Sequence, residues 1–277
     1  MTIEELLVYG KQNCHSDHAK ILLADLLGKN PLELLLYLSE KVDTEIVEKY
    51  KRAIEALKSN KPLQYVMNKV NFYGNEFYIN ENVLIPRFET EELVENAVKY
   101  IKENFDENIN IIDLGCGSGV IGLTLKKFFP KANVTLLDIS EKALEVAKIN
   151  GKNLNLEVEY IKNDMLINIQ KKYDVIISNP PYIKTDEMIE DIVKENEPHL
   201  ALYAGEDGLD CYKKILNKIK NNINDKYLIA FEIGESQAED ISKLANMCLD
   251  NINIHVKKDM QNRNRMLFIT SKNMSIY

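Results

Sequence analysis

Residues Ile111 to Gly119 read Ile-Ile-Asp-Leu-Gly-Cys-Gly-Ser-Gly, and this stretch decides the fold class. Its apolar start predicts a buried β-strand, its three alternating glycines predict a tight loop, and residues 120–127 predict a helix. Glycine lets the backbone bend sharply and lets a ligand approach bare amide groups. The first turn of the helix then directs N–H groups at an anionic part of that ligand. A strand, a glycine loop and a helix in this order predict a ligand-binding α/β domain.

Short apolar runs alternate with helical patterns from residue 109 onward. Strands are predicted at 109–113, 133–137, 157–161, 174–178, 227–233, 252–257 and 265–270, and helices at about 91–104, 119–128, 140–153, 207–222 and 235–248. This alternation predicts a Rossmann-like, seven-stranded, mostly parallel sheet with helices on both faces. Only a short loop separates the last two strands, whereas a parallel pair needs a crossover of roughly a dozen residues. The last strand is therefore predicted to run antiparallel.

The N-terminal part predicts a small helical bundle over residues 1–62. Gly28 is a stop signal, Pro31 begins the next element, and the dense leucines of 32–38 predict a central helix. Residues 44–58 predict an amphipathic helix. Two short β-rich runs inside 63–85 predict a hairpin linker, which leaves 86–277 as the α/β domain.

Composition and charge restrict the class of protein. The apolar fraction of 45% and the charged fraction of 28% are ordinary for a globular protein. No apolar run is long enough to span a bilayer, and the acidic N-terminus lacks the basic start of a secretory signal. The four cysteines are scattered, so we expect reduced thiols, no metal site and a cytoplasmic location. The net charge of -8 disfavours a nucleic-acid substrate, because such binders neutralise phosphates with Lys and Arg.

The glycine loop and the acids around it predict the cofactor. Asp138 ends the second strand about twenty residues later, where a carboxylate can accept both hydroxyls of a ribose. Residues 117–122 also match the dinucleotide pattern, so an NAD-dependent oxidoreductase is a competing hypothesis. An acid just before the loop favours S-adenosylmethionine, since it could face an ammonium group but would repel a pyrophosphate. The predicted contacts are Asp113, Gly115, Cys116, Gly117, Ser118, Gly119 and Asp138.

A further acid follows the third predicted strand. Asp164 could read the adenine amino group while Met165 packs on the ring. Asp164 could equally cap a helix after it. The sequence leaves these two interpretations open.

The tetrad Asn179-Pro180-Pro181-Tyr182 comes directly after the buried strand 174–178. Ligands of open α/β sheets bind at the carboxyl ends of the strands, so the tetrad is predicted beside the glycine loop. The Asn179 carboxamide oxygen and the Pro180 carbonyl can each accept an N–H of a planar amide or amino nitrogen. The prolines supply rigidity, and Tyr182 offers a flat face. We therefore predict methyl transfer to such a nitrogen, with Asn179, Pro180 and Tyr182 as catalytic residues. The alternative is that Asn-Pro-Pro marks only a turn.

The chain as a whole resembles the bacterial protein-(glutamine-N5) methyltransferases that modify peptide chain release factors. Besides the loop and the tetrad, the matching segments are Pro62-Leu63-Gln64-Tyr65, Phe72-Tyr73-Gly74, Leu84 to Glu91, Glu197-Pro198, Gly205 to Leu209, and Asp259 with Arg265. The resemblance implies an S-adenosylmethionine-dependent enzyme that methylates the glutamine of a Gly-Gly-Gln motif in release factors.

The same resemblance assigns roles to residues. It implies cofactor contacts at Gly115, Gly117, Gly119, Asp138, Met165 and Asn179, and substrate contacts at Asn179, Pro180, Pro181, Tyr182, Arg87, Glu89 and Thr90. It also implies that the helical domain helps to hold the release factor. Phe88 replaces a usual proline and Asn262 a frequent glycine; the second change is mild because asparagine tolerates a left-handed backbone.

Two other kinds of function remain open at this point. The tetrad is shared with adenine-N6 and guanine-N2 methyltransferases of nucleic acids, so a DNA or RNA target is the alternative methyl acceptor. A binding protein without catalysis could use the same fold.

Overall fold

The structure, a computed structural model, describes residues 1–274. Within them the α-helices are α1 (Ile3–Asn13), α2 (Ser16–Leu27), α3 (Thr44–Lys58), α4 (Leu63–Met67), α5 (Phe88–Asn104), α6 (Val120–Phe128), α7 (Glu141–Asn153), α8 (Asp191–Asn196), α9 (Asp210–Leu216) and α10 (Ala238–Cys248). The strands are β1 (Lys69–Phe72), β2 (Asn75–Tyr78), β3 (Asn110–Leu114), β4 (Asn133–Asp138), β5 (Glu159–Lys162), β6 (Tyr173–Ser178), β7 (Ile223–Glu232), β8 (Ile252–Lys258) and β9 (Asn264–Ser271). The described residues form two compact units, one of Met1–Lys69 with Glu190–Asn196 and one of Val70–Ile189 with 197–274.

The helical unit forms because its helices are capped and share one apolar core. Thr2 and Glu5 form a reciprocal capping box at the start of α1, and Gly28 ends α2 in the left-handed conformation. Leu6, Leu23, Tyr50, Ile54 and other apolar side chains make the core. The sequence prediction of helices here is confirmed for α1, α2 and α3.

The predicted central helix over 32–38 is wrong. Only a short 3-10 helix forms at Glu33–Leu36, and Leu32 and Leu36 are 78% and 77% exposed. Leu34 alone of this run is buried. Consecutive leucines cannot all face one side of a helix, so their density indicated more burial than the geometry permits. Residues 63–67 of the predicted linker also form a helix, α4, ahead of the expected hairpin β1–β2.

The α/β unit contains the predicted seven-stranded sheet. Its strand order is β5-β4-β3-β6-β7-β9-β8, with β5, β4, β3, β6 and β7 parallel. β9 lies antiparallel to both β7 and β8, as the short loop between the last two strands predicts. The chain leaves β3 toward β4 on one side and later returns to β6 on the other. This reversal places a ligand crevice at the carboxyl ends of β3, β4 and β6.

Helices cover both faces of this sheet. On one face α5 and α6 pack Leu93, Ile101 and Leu123 against the sheet. On the other, α9 and α10 contribute Tyr212 and Ile241. The predicted long helix 207–222 is wrong, because Gly208 adopts a positive φ of 72° and α9 begins only at Asp210. Among residues 1–274 we find no helix that is both long and apolar enough to cross a membrane.

Candidate active site

The glycine loop is built as the sequence predicts. Gly115, Gly117 and Gly119 have φ values of 69°, 53° and 81°, a region that side chains disfavour. Gly115 and Cys116 donate their N–H groups to the Leu137 carbonyl at 2.8 and 2.9 Å, which fixes the loop on β4. A Cβ on Gly117 would meet nothing within 4 Å, so the loop faces open space at that point.

Asp138 joins the loop to the second strand. Its Oδ2 accepts the Gly117 N–H at 2.9 Å, and its Oδ1 accepts the Ser140 N–H at 2.8 Å. Burial raises the pKa of this carboxyl, and the backbone hydrogen bonds oppose that change. Each oxygen keeps a second lone pair, so Asp138 can still accept hydroxyls of a ligand.

Asp113 is placed differently from the other acids. It is fully buried, and its Oδ2 accepts the Gly122 N–H in α6 at 2.9 Å. Its Oδ1 has no hydrogen-bond partner within the described residues. Burial raises the pKa of Asp113 to about 7. The side chain is not among the residues that line the cavity described next, so its predicted cofactor contact stays a prediction.

A cavity of about 280 Å³ lies at the carboxyl edge of the sheet. Of the predicted residues, it is lined by Thr90, Gly115, Cys116, Gly117, Ser118, Asp138, Asp164, Met165, Asn179 and Pro181. Gly119, Pro180, Tyr182, Arg87 and Glu89 are not in the lining. The loop, the acid of the second strand and the tetrad therefore share one cavity.

Asp164 and Met165 both line this cavity. No helix follows Asp164 before β6, so its interpretation as a helix cap is wrong. Both carboxylate oxygens instead accept from Lys214 Nζ, at 3.2 and 2.8 Å. Met165 has a positive φ of 48°, and its methyl group would be 3.9 Å from a Cβ on Gly115. Met165 thus forms an apolar wall beside the loop.

The tetrad begins at the end of β6, where hydrogen bonds fix its first residue. Ser178 Oγ donates to the Leu114 carbonyl at 2.6 Å and ties β6 to β3. Asn179 Nδ2 donates to Thr90 Oγ1 at 3.1 Å, and Thr90 Oγ1 donates to Glu232 Oε2 at 2.7 Å. The nitrogen end of the carboxamide is therefore occupied by Thr90, and the oxygen end remains for a ligand.

The backbone after the tetrad is held from two sides. Gln237 Nε2 donates to the carbonyls of Tyr182 and Gly208 at 3.0 and 3.2 Å. Arg265 Nη1 lies 3.5 Å from the Tyr182 hydroxyl. Burial, with the negative charge of Glu232 as the next cause, raises the pKa of Tyr182 to about 12. Tyr182 therefore stays neutral and serves as a packing surface.

The segment before α5 is anchored by a buried acid. Glu197 is 4% exposed, accepts the Ile85 N–H at 3.1 Å and forms an ion pair with Arg87. Arg87 is thereby committed to Glu197, and its predicted substrate contact stays a prediction, as does that of Glu89.

Sequence reasoning missed several residues of the site. Asn82, Val83 and Leu84 line the cavity, and Glu232 supports Asn179 through Thr90. Glu232 had a detectable signal, because it is a carboxylate at the end of a buried strand on the ligand-binding edge. Within residues 1–274 no group of His, Cys, Asp and Glu could hold a metal ion, and the cysteines are free thiols.

Comparison with known proteins matches one family model to the N-terminal helical part of the chain and another to the α/β part. The family model of the PrmC N-terminal domain matches residues 13–67, and that of the methyltransferase small domain matches residues 88–203. The release factor glutamine methyltransferase of Bacillus cereus is 36% identical over 265 residues, which cover 93% of this chain and 94% of the relative. The chain belongs to the release factor glutamine methyltransferase family.

A second relative agrees with membership of this family, and a solved structure shares the fold. The release factor glutamine methyltransferase of Streptococcus pneumoniae is 36% identical over 269 residues, covering 96% of this chain and 94% of the relative. A solved structure of a T. thermophilus 16S rRNA N2 methyltransferase with AdoMet and guanosine has a TM-score of 0.53 at 14% identity, covering 73% of this chain and 49% of that one. At that identity the structural likeness shows the fold alone.

Proposed function

We propose that the protein transfers a methyl group from S-adenosyl-L-methionine to the side-chain amide nitrogen of the glutamine in the Gly-Gly-Gln motif of peptide chain release factors. The observation that carries this proposal is the placement of Asn179. Its carboxamide lines the same cavity as the glycine loop, with its nitrogen end held by Thr90. Membership of the release factor glutamine methyltransferase family supports glutamine as the target.

The polar and apolar residues that line the cavity suit the polar and apolar parts of S-adenosylmethionine. The bare backbone at Gly117 permits close approach, and Asp138 presents acceptors for the ribose hydroxyls. Met165 supplies an apolar surface for the adenine ring. When bound, this cofactor supplies an electrophilic methyl group on its sulfonium.

The chain's own residues hold the acceptor nitrogen. An amide nitrogen is a weak nucleophile because its lone pair is delocalised into the carbonyl. Asn179 Oδ1 can accept one N–H of the target and the Pro180 carbonyl the other, which directs the lone pair toward the methyl group. The nitrogen held in this way would take the methyl group that the bound cofactor supplies and would then release one proton to water. Such positioning provides large rate factors without a strong base.

The charge and the domain structure support a protein substrate. The chain has a net charge of -8, which is unfavourable for a polyanion. The match of residues 13–67 to the PrmC N-terminal domain supports a role of the helical unit in holding the release factor. The shared fold of the RNA methyltransferase does not by itself favour RNA.

Labelled S-adenosylmethionine tests the proposal directly. The enzyme is incubated with purified release factor, with the same factor carrying Gln→Asn in its Gly-Gly-Gln motif, and with DNA and RNA. We expect label in the first sample alone. Label in nucleic acid, or equal label in both release factors, would contradict the proposal.

A further inference from the structure

Three side chains form a chain of hydrogen bonds that ends at the active-site carboxamide. Thr90, in the first turn of α5, lies between Glu232 at the end of β7 and Asn179 after β6. Thr90 and Glu232 are each 2% exposed, so water does not replace these bonds. The distances are 2.7 Å from Thr90 Oγ1 to Glu232 Oε2 and 3.1 Å from Asn179 Nδ2 to Thr90 Oγ1.

The single hydroxyl proton of Thr90 fixes the direction of its hydrogen bonds with Glu232 and Asn179. An ionised carboxylate can only accept, so Thr90 must use its single hydroxyl proton on Glu232. The Thr90 oxygen can then only accept from Asn179, which turns Nδ2 toward Thr90 and leaves Oδ1 for the ligand. A protonated Glu232 can donate to Thr90, whose proton is then free to bind Oδ1 of a reversed carboxamide. An ionised Glu232 thus enforces the orientation with Oδ1 toward the ligand, and protonation of Glu232 removes that constraint.

We infer that Glu232 is a positioning residue which, through Thr90, holds the Asn179 carboxamide with its oxygen toward the methyl-accepting nitrogen. This inference rests on the proposed function, since it concerns the grip on the target N–H. A reversed carboxamide would present N–H to N–H and repel the target. Glu232 itself need not touch substrate or cofactor.

Several charged or titratable groups surround Glu232. Arg265 on β9 and Arg87 before α5 favour its ionised form, and Glu89 on α5 opposes it. Tyr182, after β6, adds no charge beside Glu232, because burial keeps its hydroxyl neutral. Tyr212 on α9 donates its hydroxyl proton to the main-chain carbonyl of Glu232 at 2.7 Å.

Burial raises the pKa of Glu232 to about 7, against the hydrogen bond from Thr90 and the charge of Arg265. The group is therefore protonated below that pH and ionised above it. Turnover should fall as the pH drops through this range, because the fixed orientation of Asn179 is lost.

Replacing Thr90 tests the relay. Thr90→Val keeps the shape and removes the hydroxyl, and we expect kcat to fall by about 10- to 100-fold with cofactor affinity unchanged. Thr90→Ser restores the hydroxyl and should recover most of that loss. Thr124→Val is the matched control, because Thr124 on α6 is 1% exposed and its hydroxyl has no partner within residues 1–274. A Thr90→Val enzyme with the kcat of the Thr124→Val control would overturn the inference.

The pH profile provides a second readout, which a merely structural role would not move. With saturating cofactor and release factor, the wild-type kcat should have an acidic limb near pH 7, and Glu232→Gln should remove it. Replacing Arg265 with Met should move the limb to higher pH, since its positive charge lowers the pKa of Glu232. A limb that persists unchanged in Glu232→Gln would refute the role of Glu232. If wild-type enzyme does not methylate release factor at all, the proposed function fails instead, and the two failures are thereby distinguished.

Discussion

Asp113 is predicted to make the protein less stable as the pH rises, and Asp113→Asn isolates that effect. The carboxyl is fully buried, one oxygen lacks a partner among the described residues, and its pKa is raised from 3.8 to about 7. A raised pKa in the folded state stabilises the fold at low pH, and this contribution is lost as the pH rises through the folded-state value.

The size of the effect follows from the shift. Roughly three pKa units at 1.36 kcal/mol each give about 4 kcal/mol in total, of which about 3 kcal/mol falls between pH 5 and pH 9. The variant cannot ionise, so it lacks this change. The free energy of unfolding of Asp113→Asn minus that of wild type should therefore increase by about 3 kcal/mol from pH 5 to pH 9.

Urea unfolding of both proteins at pH 5 and pH 9 measures this difference. Asp225→Asn, at an exposed position on β7, is the matched control and should follow wild type at both pH values. A difference between Asp113→Asn and wild type that is the same at both pH values would contradict this prediction. It would mean that Asp113 is ionised throughout, as a direct contact with the cofactor's ammonium group requires.

Three glycine substitutions test the site and the helical unit. Gly117→Ala puts a methyl group on a φ of 53° in the open part of the loop, and should weaken cofactor binding by at least tenfold in calorimetry, while the fold survives. Gly208→Ala would place its Cβ 2.4 Å from the Tyr182 carbonyl oxygen; we expect kcat/KM for the release factor to fall while cofactor affinity holds, and equal values would contradict this. Gly10→Ala would place its Cβ 2.1 Å from the Tyr50 hydroxyl oxygen, so urea unfolding should show a loss of about 1–3 kcal/mol.

The sequence predicted the sheet well because its signals are local. The glycine loop, the alternation of strands and helices and the short last loop each dictate geometry over a few residues, and all seven strands are present. The density of leucines around Leu34 did not predict which side chains are buried. The direction in which each side chain points depends on the type of helix, and tertiary packing selects that type.

The site was predictable where one segment carries it and not where distant segments meet. Asn179 and Asp138 follow directly from their strands. Glu232 reaches Asn179 only through Thr90, and these three residues come from β7, the end of β6 and α5. No spacing in the sequence reports that contact. The hydrogen bond from Lys214 to Asp164 likewise joins residues that are distant in the sequence, so it could not be predicted.

Mass spectrometry of release factor, after incubation with the enzyme and S-adenosylmethionine, tests whether Asn179 grips a glutamine amide. For wild type we predict one added methyl group on the glutamine of the Gly-Gly-Gln peptide. For Asn179→Ala we predict almost none, with cofactor binding retained. A methyl group on any other residue, or near-normal methylation by Asn179→Ala, would mean that Asn179 does not grip a glutamine amide.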